Sequence, residues 1–141
     1  MAGNEPLVLS EERSAEIGRE MSRLIEDSRA RCGLLIRSDG QRICVQGAVG
    51  GLDLLNLSIL IAGAVASARE VARLLGEPEF TLLFHQAGSR CLHCVLVDED
   101  AILTALFDAE AELEVVRRET RCRGAAMAAI LAAARADGAA V

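Results

Sequence analysis

A chain of 141 residues, 52% of them hydrophobic, has the length of one domain and enough apolar side chains for a sizeable core. Its net charge of −6 argues against nucleic acid and anionic membrane surfaces as partners, and only Phe80, Phe84 and Phe107 are aromatic, so base-stacking platforms are poorly supplied. All fifteen basic residues are arginine. The chain therefore supplies neither the phosphate-binding lysine of a P-loop nor the amine of a Schiff base.

The opening MAGNEPLVLSEER has no basic n-region and no long apolar stretch, so no signal peptide is expected and the protein reads as cytoplasmic. Five cysteines, Cys32, Cys44, Cys91, Cys94 and Cys122, are an odd number, and free thiols are expected of them. Ser10 is placed to cap a first helix, with Glu11 and Glu12 favourable to its dipole. Ile17, Met21, Leu24, Ile25 and Ser28 then recur at helical spacing as a core-facing stripe, opposite Glu16, Arg19, Arg23 and Asp27.

Two β-rich runs, Gly33–Arg37 and Gln41–Gln46, flank Asp39-Gly40, which predicts a two-residue type I′ hairpin. That register sets Leu35 opposite Cys44 and leaves Cys32 beyond the reach of Cys44. The glycines at 47, 50 and 51 look superficially like a phosphate loop. They lack a lysine and the G-x-G-x-x-G spacing, and read as a flexible connection.

Leu52–Gly76 is predicted as one long helix, and Leu54–Ala68 within it carries no charge. A helix apolar nearly all round has to be covered nearly all round. It could be a membrane span, a central helix of the monomer, or an interface helix. The uncharged run of 15 residues is bounded by Asp53 and Arg69 and lacks aromatic anchors, short of the roughly 20 residues a span needs. The small pairs Ala62/Ala66 and Gly63/Ser67 suit close approach of another helix.

After Gly76 and Glu77-Pro78, three runs read as an antiparallel meander: Phe80–Gln86, Arg90–Val97 and Ala101–Phe107, joined by turns at Ala87–Ser89 and Asp98–Asp100. Asp108 is expected to cap a last helix with Leu113, Val116, Thr120, Met127, Ile130, Leu131 and Ala134 on one face, fraying in its last few residues. The order α-β-β-α-β-β-β-α predicts an α+β fold. One five-stranded antiparallel sheet takes the first and last helices on one face and the long helix on the other. Residues 1–141 form one domain in this reading, its core spanning about residues 10–135.

No catalytic, cofactor-binding or metal site is predicted. His85, Cys91, His93 and Cys94 are tempting zinc ligands, but alternation along a strand points Cys94 away from Cys91 and His93. His85 would lie near Cys91 across the hairpin. Ordinary strand residues are the simpler reading. Asp98, Glu99 and Asp100 read as a solvated turn rather than an acid–base site. Arg117, Arg118, Arg121 and Arg123 make a basic patch. Glu114–Arg118 and Glu119–Arg123 are favourable i, i+4 pairs, so a salt-bridged solvent face competes with a docking patch for an acidic partner.

The element order, and the run AGAVASAREVARLLGEPEFTLLFHQAGSRCLHCVLVDEDAILTALFDAEAELEVVRRE, resemble the Roadblock/dynein light chain family and, within it, bacterial MglB-like proteins. The resemblance spans roughly Cys32–Leu131. It rests on Leu60–Gly63, on Leu74-Leu75-Gly76-Glu77 followed by Phe80 and Phe84-His85-Gln86, on Phe107-Asp108, and on Val116-Arg117. It implies a homodimer built through the second helix and third strand, which joins two sheets into one. It implies no enzymatic activity of the chain itself and no cofactor. Its partner would be a small Ras-like GTPase (MglA-like), whose GTP hydrolysis such proteins stimulate by remodelling its switch elements, without inserting an arginine finger. On that resemblance the dimer contact falls on Ile59, Ala62, Gly63, Ala66, Ser67, Phe80 and Leu82. The GTPase contact falls on Ala66, Arg69, Glu70 and Arg73. A dimeric scaffold without effect on hydrolysis is the alternative.

Overall fold

The structure, a computed structural model, describes residues 7–77, 80–85 and 90–139. Helix α1 (Glu11–Ser28) starts where the Ser10 hydroxyl accepts the Arg13 N–H at 3.1 Å, with Glu11 and Glu12 in the first turn. Arg29 ends it in the left-handed region at φ 61, its N–H donating to the Ile25 carbonyl at 3.0 Å.

Strands β1 (Cys32–Arg37) and β2 (Arg42–Gly47) form the expected hairpin, but through a different turn. The Gly40 N–H donates to the Arg37 carbonyl and Arg37 N–H to the Gln41 carbonyl, which closes a three-residue loop, Ser38–Gly40. Gly40 has φ 91 and Asp39 is not in the positive-φ region, so this is not a type I′ turn. It is the three-residue loop in which a left-handed glycine closes the turn. A register shift between Leu35 and Ile36 absorbs the extra residue, and Leu35 still lies opposite Cys44. Cys32 pairs with Gly47 and all five cysteines are free.

Helix α2 (Leu54–Leu75) begins two residues later than expected because Asp53 is its cap, accepting from the Asn56 N–H at 3.2 Å. Gly76, at φ 74, closes it. Strands β3 (Thr81–His85), β4 (Cys91–Asp98) and β5 (Ala101–Phe107) form the meander. Pro78, Gln86 and the expected turn at Ala87–Ser89 lie outside the described residues.

Helix α3 (Leu113–Ala139) corrects the expected cap. Asp108 instead accepts from the Glu110 N–H at 3.1 Å, a local side-chain turn that delays the helix to Leu113. At its other end α3 runs to Ala139, with Arg135 bound to Asp98 at 2.6 Å and Asp137 to Arg13 at 2.8 Å. Ala140 and Val141, part of the end expected to fray, lie outside the described residues.

The sheet is antiparallel with strand order β2-β1-β5-β4-β3. β1 and β5 are central and buried along their whole length, and alternation splits their side chains between two cores. Leu35, Leu103, Ala105 and Phe107 meet α1 and α3 through Ile17, Met21, Leu24, Val116, Met127 and Leu131. Leu34, Ile36, Ile102, Leu106 and Cys94 meet α2 through Ile61, Ala62 and Val65. The expected arrangement, two helices on one face and the long one on the other, is the observed one.

Candidate functional site

Helix α2 lies on its sheet face without another helix beside it, and only one side of it is covered. Ser58, Ile61, Ala62, Val65 and Ala72 are buried. Each lies three, four or seven residues from another of the set, so they form a single stripe. Along the rest of the surface Leu55, Ile59, Leu60, Val71, Leu74 and Leu75 are exposed, Leu60 by 69% and Leu75 by 72%. Gly63, Ala66 and Ser67 are exposed between them. By length and composition alone α2 is the one described helix able to cross a membrane. Its buried stripe nevertheless seats it on a sheet.

The small residues thus divide. Ala62 is 6% exposed and packs on the sheet, which removes it from the outward surface. The turn of the helix that brings Ile61 and Val65 inward brings Ala62 with them. Gly63, Ala66, Ser67 and Ile59 face out. Under Ala66 runs a narrow cleft of about 110 Å³, lined also by Ser38, Val65, Arg69, Leu96 and Ile102. The Ser58 hydroxyl is buried without a hydrogen-bond partner.

Beside α2 lies the edge strand β3. Phe80 and Leu82 pack partly against the α2 core, and Phe84 on the same side is 62% exposed. The apolar surface of α2 therefore continues toward a sheet edge whose outer backbone groups are unpaired within the sheet. The exposure of Leu74, Leu75 and Phe84 was not legible from single-residue motifs. The signal was there in the helix's all-round apolarity.

At the C-terminal half of α2 the charged residues are exposed. Arg69 donates to the Glu99 carbonyl at 3.1 Å, tying α2 to the β4–β5 turn. Arg73 pairs with Glu70 one turn earlier, and its guanidinium holds the Glu70 carboxyl below its ordinary range.

The thiol and imidazole groups separate as alternation requires. Cys91 faces the α1/α3 core and Cys94 the α2 core. Burial pushes the Cys94 thiol up to about 11, so it is protonated, and it accepts the Thr104 hydroxyl at 3.2 Å. The side chain of His85 lies outside the described residues, and no group of three metal-ligating side chains converges among the described ones.

The acidic turn is more than solvated. Asp100 pairs with the buried Arg37 at 2.9 Å and accepts the Ser38 hydroxyl at 2.7 Å, while Asp98 accepts its own turn's Asp100 N–H at 2.8 Å. The basic patch divides as well. Arg123 reaches Glu20 on α1 at 2.7 Å instead of Glu119, and Arg118 sits 3.6 Å from Glu119.

A five-stranded antiparallel sheet with two helices behind it, one long apolar helix in front and an open β3 edge defines a Roadblock-type interaction domain. The chain belongs to the Roadblock/LC7 domain family, which it matches over residues 20–107. Among solved structures it is similar to Myxococcus xanthus MglB, with 29% identity over 91% of this chain and 96% of that one and a TM-score of 0.81. It is equally similar to the gliding protein MglB of Thermus thermophilus, with 29% identity, 90% and 97% coverage and a TM-score of 0.81. An MglB with a tetrameric arrangement matches at 28% identity, 92% and 98% coverage and a TM-score of 0.84. No curated protein matches the chain significantly in sequence.

Proposed function

We propose that this protein is a cytoplasmic, homodimeric regulator of a small Ras-like GTPase, acting by protein–protein contact and not by chemistry of its own. The single observation that carries the proposal is the outward side of α2. Leu55, Ile59, Leu60, Val71, Leu74 and Leu75 form an exposed apolar strip on a chain of only 141 residues, continued by Phe84 at the β3 edge. Contiguous apolar surface of this kind marks an interaction site. A second copy covers it most economically, α2 against α2 and β3 against β3, because such an interface is self-complementary. Ile59, Gly63, Ala66 and Ser67 supply close contact in this arrangement, with Phe80 and Leu82 fixing the edge strand. Likeness to an MglB of tetrameric arrangement supports self-association.

The GTPase contact is assigned to the part of α2 that turns polar, Ala66, Arg69, Glu70 and Arg73. Likeness to MglB structures over nine-tenths of the chain supports a regulatory or adaptor role, and the residue assignment rests on where α2 turns polar. The test is GTP turnover by the cognate Ras-like GTPase with and without this protein. Stimulated turnover is expected, and it should disappear with Ala66→Arg, which sets a charged side chain where a partner must approach closely. Binding without any change in turnover would make the chain a scaffold. Absence of binding across the organism's Ras-like GTPases would overturn the reading.

A further inference from the structure

The opposite face of the sheet carries a second surface. Helices α1 and α3 cover β2, β1, β5 and part of β4, but no helix covers β3. Alongside α3 this leaves a groove of about 710 Å³, lined by Thr81, Val95, Val97, Arg121, Gly124 and Ala125, with Phe80 and Leu96 of the α2 side at its rim. α3 lies directly over these strands at Gly124, where a Cβ would make ordinary contact with Val95 at 3.5 Å and Val97 at 3.8 Å. The floor of the groove is apolar.

The wall is cationic. Arg117 and Arg121 are one helical turn apart and exposed. Of the four arginines of this patch, Arg118 and Arg123 have carboxylate partners. Arg117 and Arg121 have no ion pair among the described residues. Both act instead on His93, which is 1% exposed and has no hydrogen-bond partner at either ring nitrogen. Two unpaired guanidiniums and a buried imidazole with an idle N–H all lack an acceptor in the same neighbourhood. The chain as a whole is acidic, at −6, which repels polyanionic surfaces such as nucleic acid and anionic lipid. An isolated positive wall over an apolar floor fits a segment that brings both carboxylates and apolar anchors.

We infer that the groove between α3 and the β3–β4 strands, walled by Arg121 with the exposed Arg117 one helical turn beyond it, docks an acidic amphipathic helix from a partner protein. Carboxylates spaced i, i+4 on that helix meet the two guanidiniums, and its apolar side chains rest on Val95 and Val97. The groove includes none of the residues given to the GTPase contact, and it shares only Phe80, at its rim, with the proposed dimer edge. A partner held here is tethered without blocking α2.

The experiment uses the full chain and a fluorescein-labelled helical peptide of about 18 residues, long enough to form helix in contact. The peptide carries Glu at i and i+4 and Leu at i+3 and i+7. Controls replace both Glu by Gln, or both by Arg. Fluorescence anisotropy should show saturable binding of the Glu peptide, at least about tenfold weaker binding of the Gln peptide, and none of the Arg peptide. Arg121→Glu and Arg117→Glu should each weaken binding about tenfold or more, whereas Arg118→Glu, on the same helix but outside the groove, should change it less than about twofold. Ala125→Phe, which fills the groove without altering charge, should also weaken binding. Circular dichroism shows that each variant is folded. Bound peptide should shift the His93 ring resonances in NMR spectra. Equal binding by Arg121→Glu and the parent chain, or no saturable binding of the Glu peptide, overturns the inference. So does capture of anionic phosphatidylserine vesicles or single-stranded DNA in place of the peptide.

Discussion

Arg37, at the end of β1, is buried and its guanidinium lies 2.9 Å from the carboxylate of Asp100 in the β4–β5 turn. The Ser38 hydroxyl reinforces the link, and the Ser38 N–H donates to the Asp100 carbonyl at 3.0 Å. Two hairpin turns on different strand pairs are thereby locked together at one end of the sheet. Breaking an ion pair by removing one partner is expensive where the other stays buried. Asp100→Ala is expected to destabilise the fold by about 2–3 kcal/mol, read from the midpoint of urea denaturation. Asp39→Ala, in the neighbouring turn, loses a hydrogen bond to the Gln41 N–H and should cost only about 1 kcal/mol.

Gly47 and Gly50 look alike in the sequence but differ in the structure. Gly47 has φ 99, and a Cβ there would lie 2.3 Å from the Arg31 carbonyl oxygen. Gly50 has open space around it. Gly47→Ala should destabilise by about 3 kcal/mol or more, and Gly50→Ala by no more than about 0.5 kcal/mol. Thermal denaturation of the two variants side by side checks this.

Burial, with Arg117 and Arg121 adding to it, lowers the His93 pKa from 6.5 to about 4. The unfolded chain takes up a proton on this imidazole as pH falls through 6.5, while the folded chain holds off until about pH 4. Stability from the neutral imidazole is full above pH 6.5 and is lost progressively toward pH 4, by at most about 3 kcal/mol. His93→Leu should flatten the fall in stability across that window. Denaturation midpoints of the two proteins at pH 7, 6, 5 and about 4 give the comparison.

Leu60 is 69% exposed in a single chain, so Leu60→Glu should leave folding within about 0.5 kcal/mol. Self-association is expected to weaken about tenfold or more, because an interface would bury the new carboxylate without a partner. Sedimentation velocity over a concentration series measures it. Unchanged association would move the dimer contact off this part of α2.

Most of the architecture could be read from residue order. Period-two runs separated by short polar turns gave the meander, and the stripe from Ile17 to Ser28 gave the buried face of α1. The sequence also signalled α2's need for cover, because Leu54–Ala68 has no charge on any side. Turn details were less accessible. Asp39-Gly40 is compatible with two loop lengths, and the choice depends on a bulge at Leu35/Ile36 that local preference does not encode. Asp108 could cap a helix or close its own turn, and the local hydrogen bond to Glu110 won. The pairing of Arg123 with Glu20, 103 residues away, is tertiary and overrode the adjacent i, i+4 partner. Ala62 was placed outward by its spacing to Ala66, a motif that is blind to which way the helix is rotated.

Gly40 abuts α2: a Cβ there would come within 3.2 Å of the Ile59 Cα. The loop at the tip of the β1–β2 hairpin thus touches the first half of α2, the helix proposed to carry the contact surface. A methyl group added at residue 40 would oblige Ile59 to give by a few tenths of an ångström, so the hairpin tip acts as a stop for this part of α2, reached from a different segment of the chain.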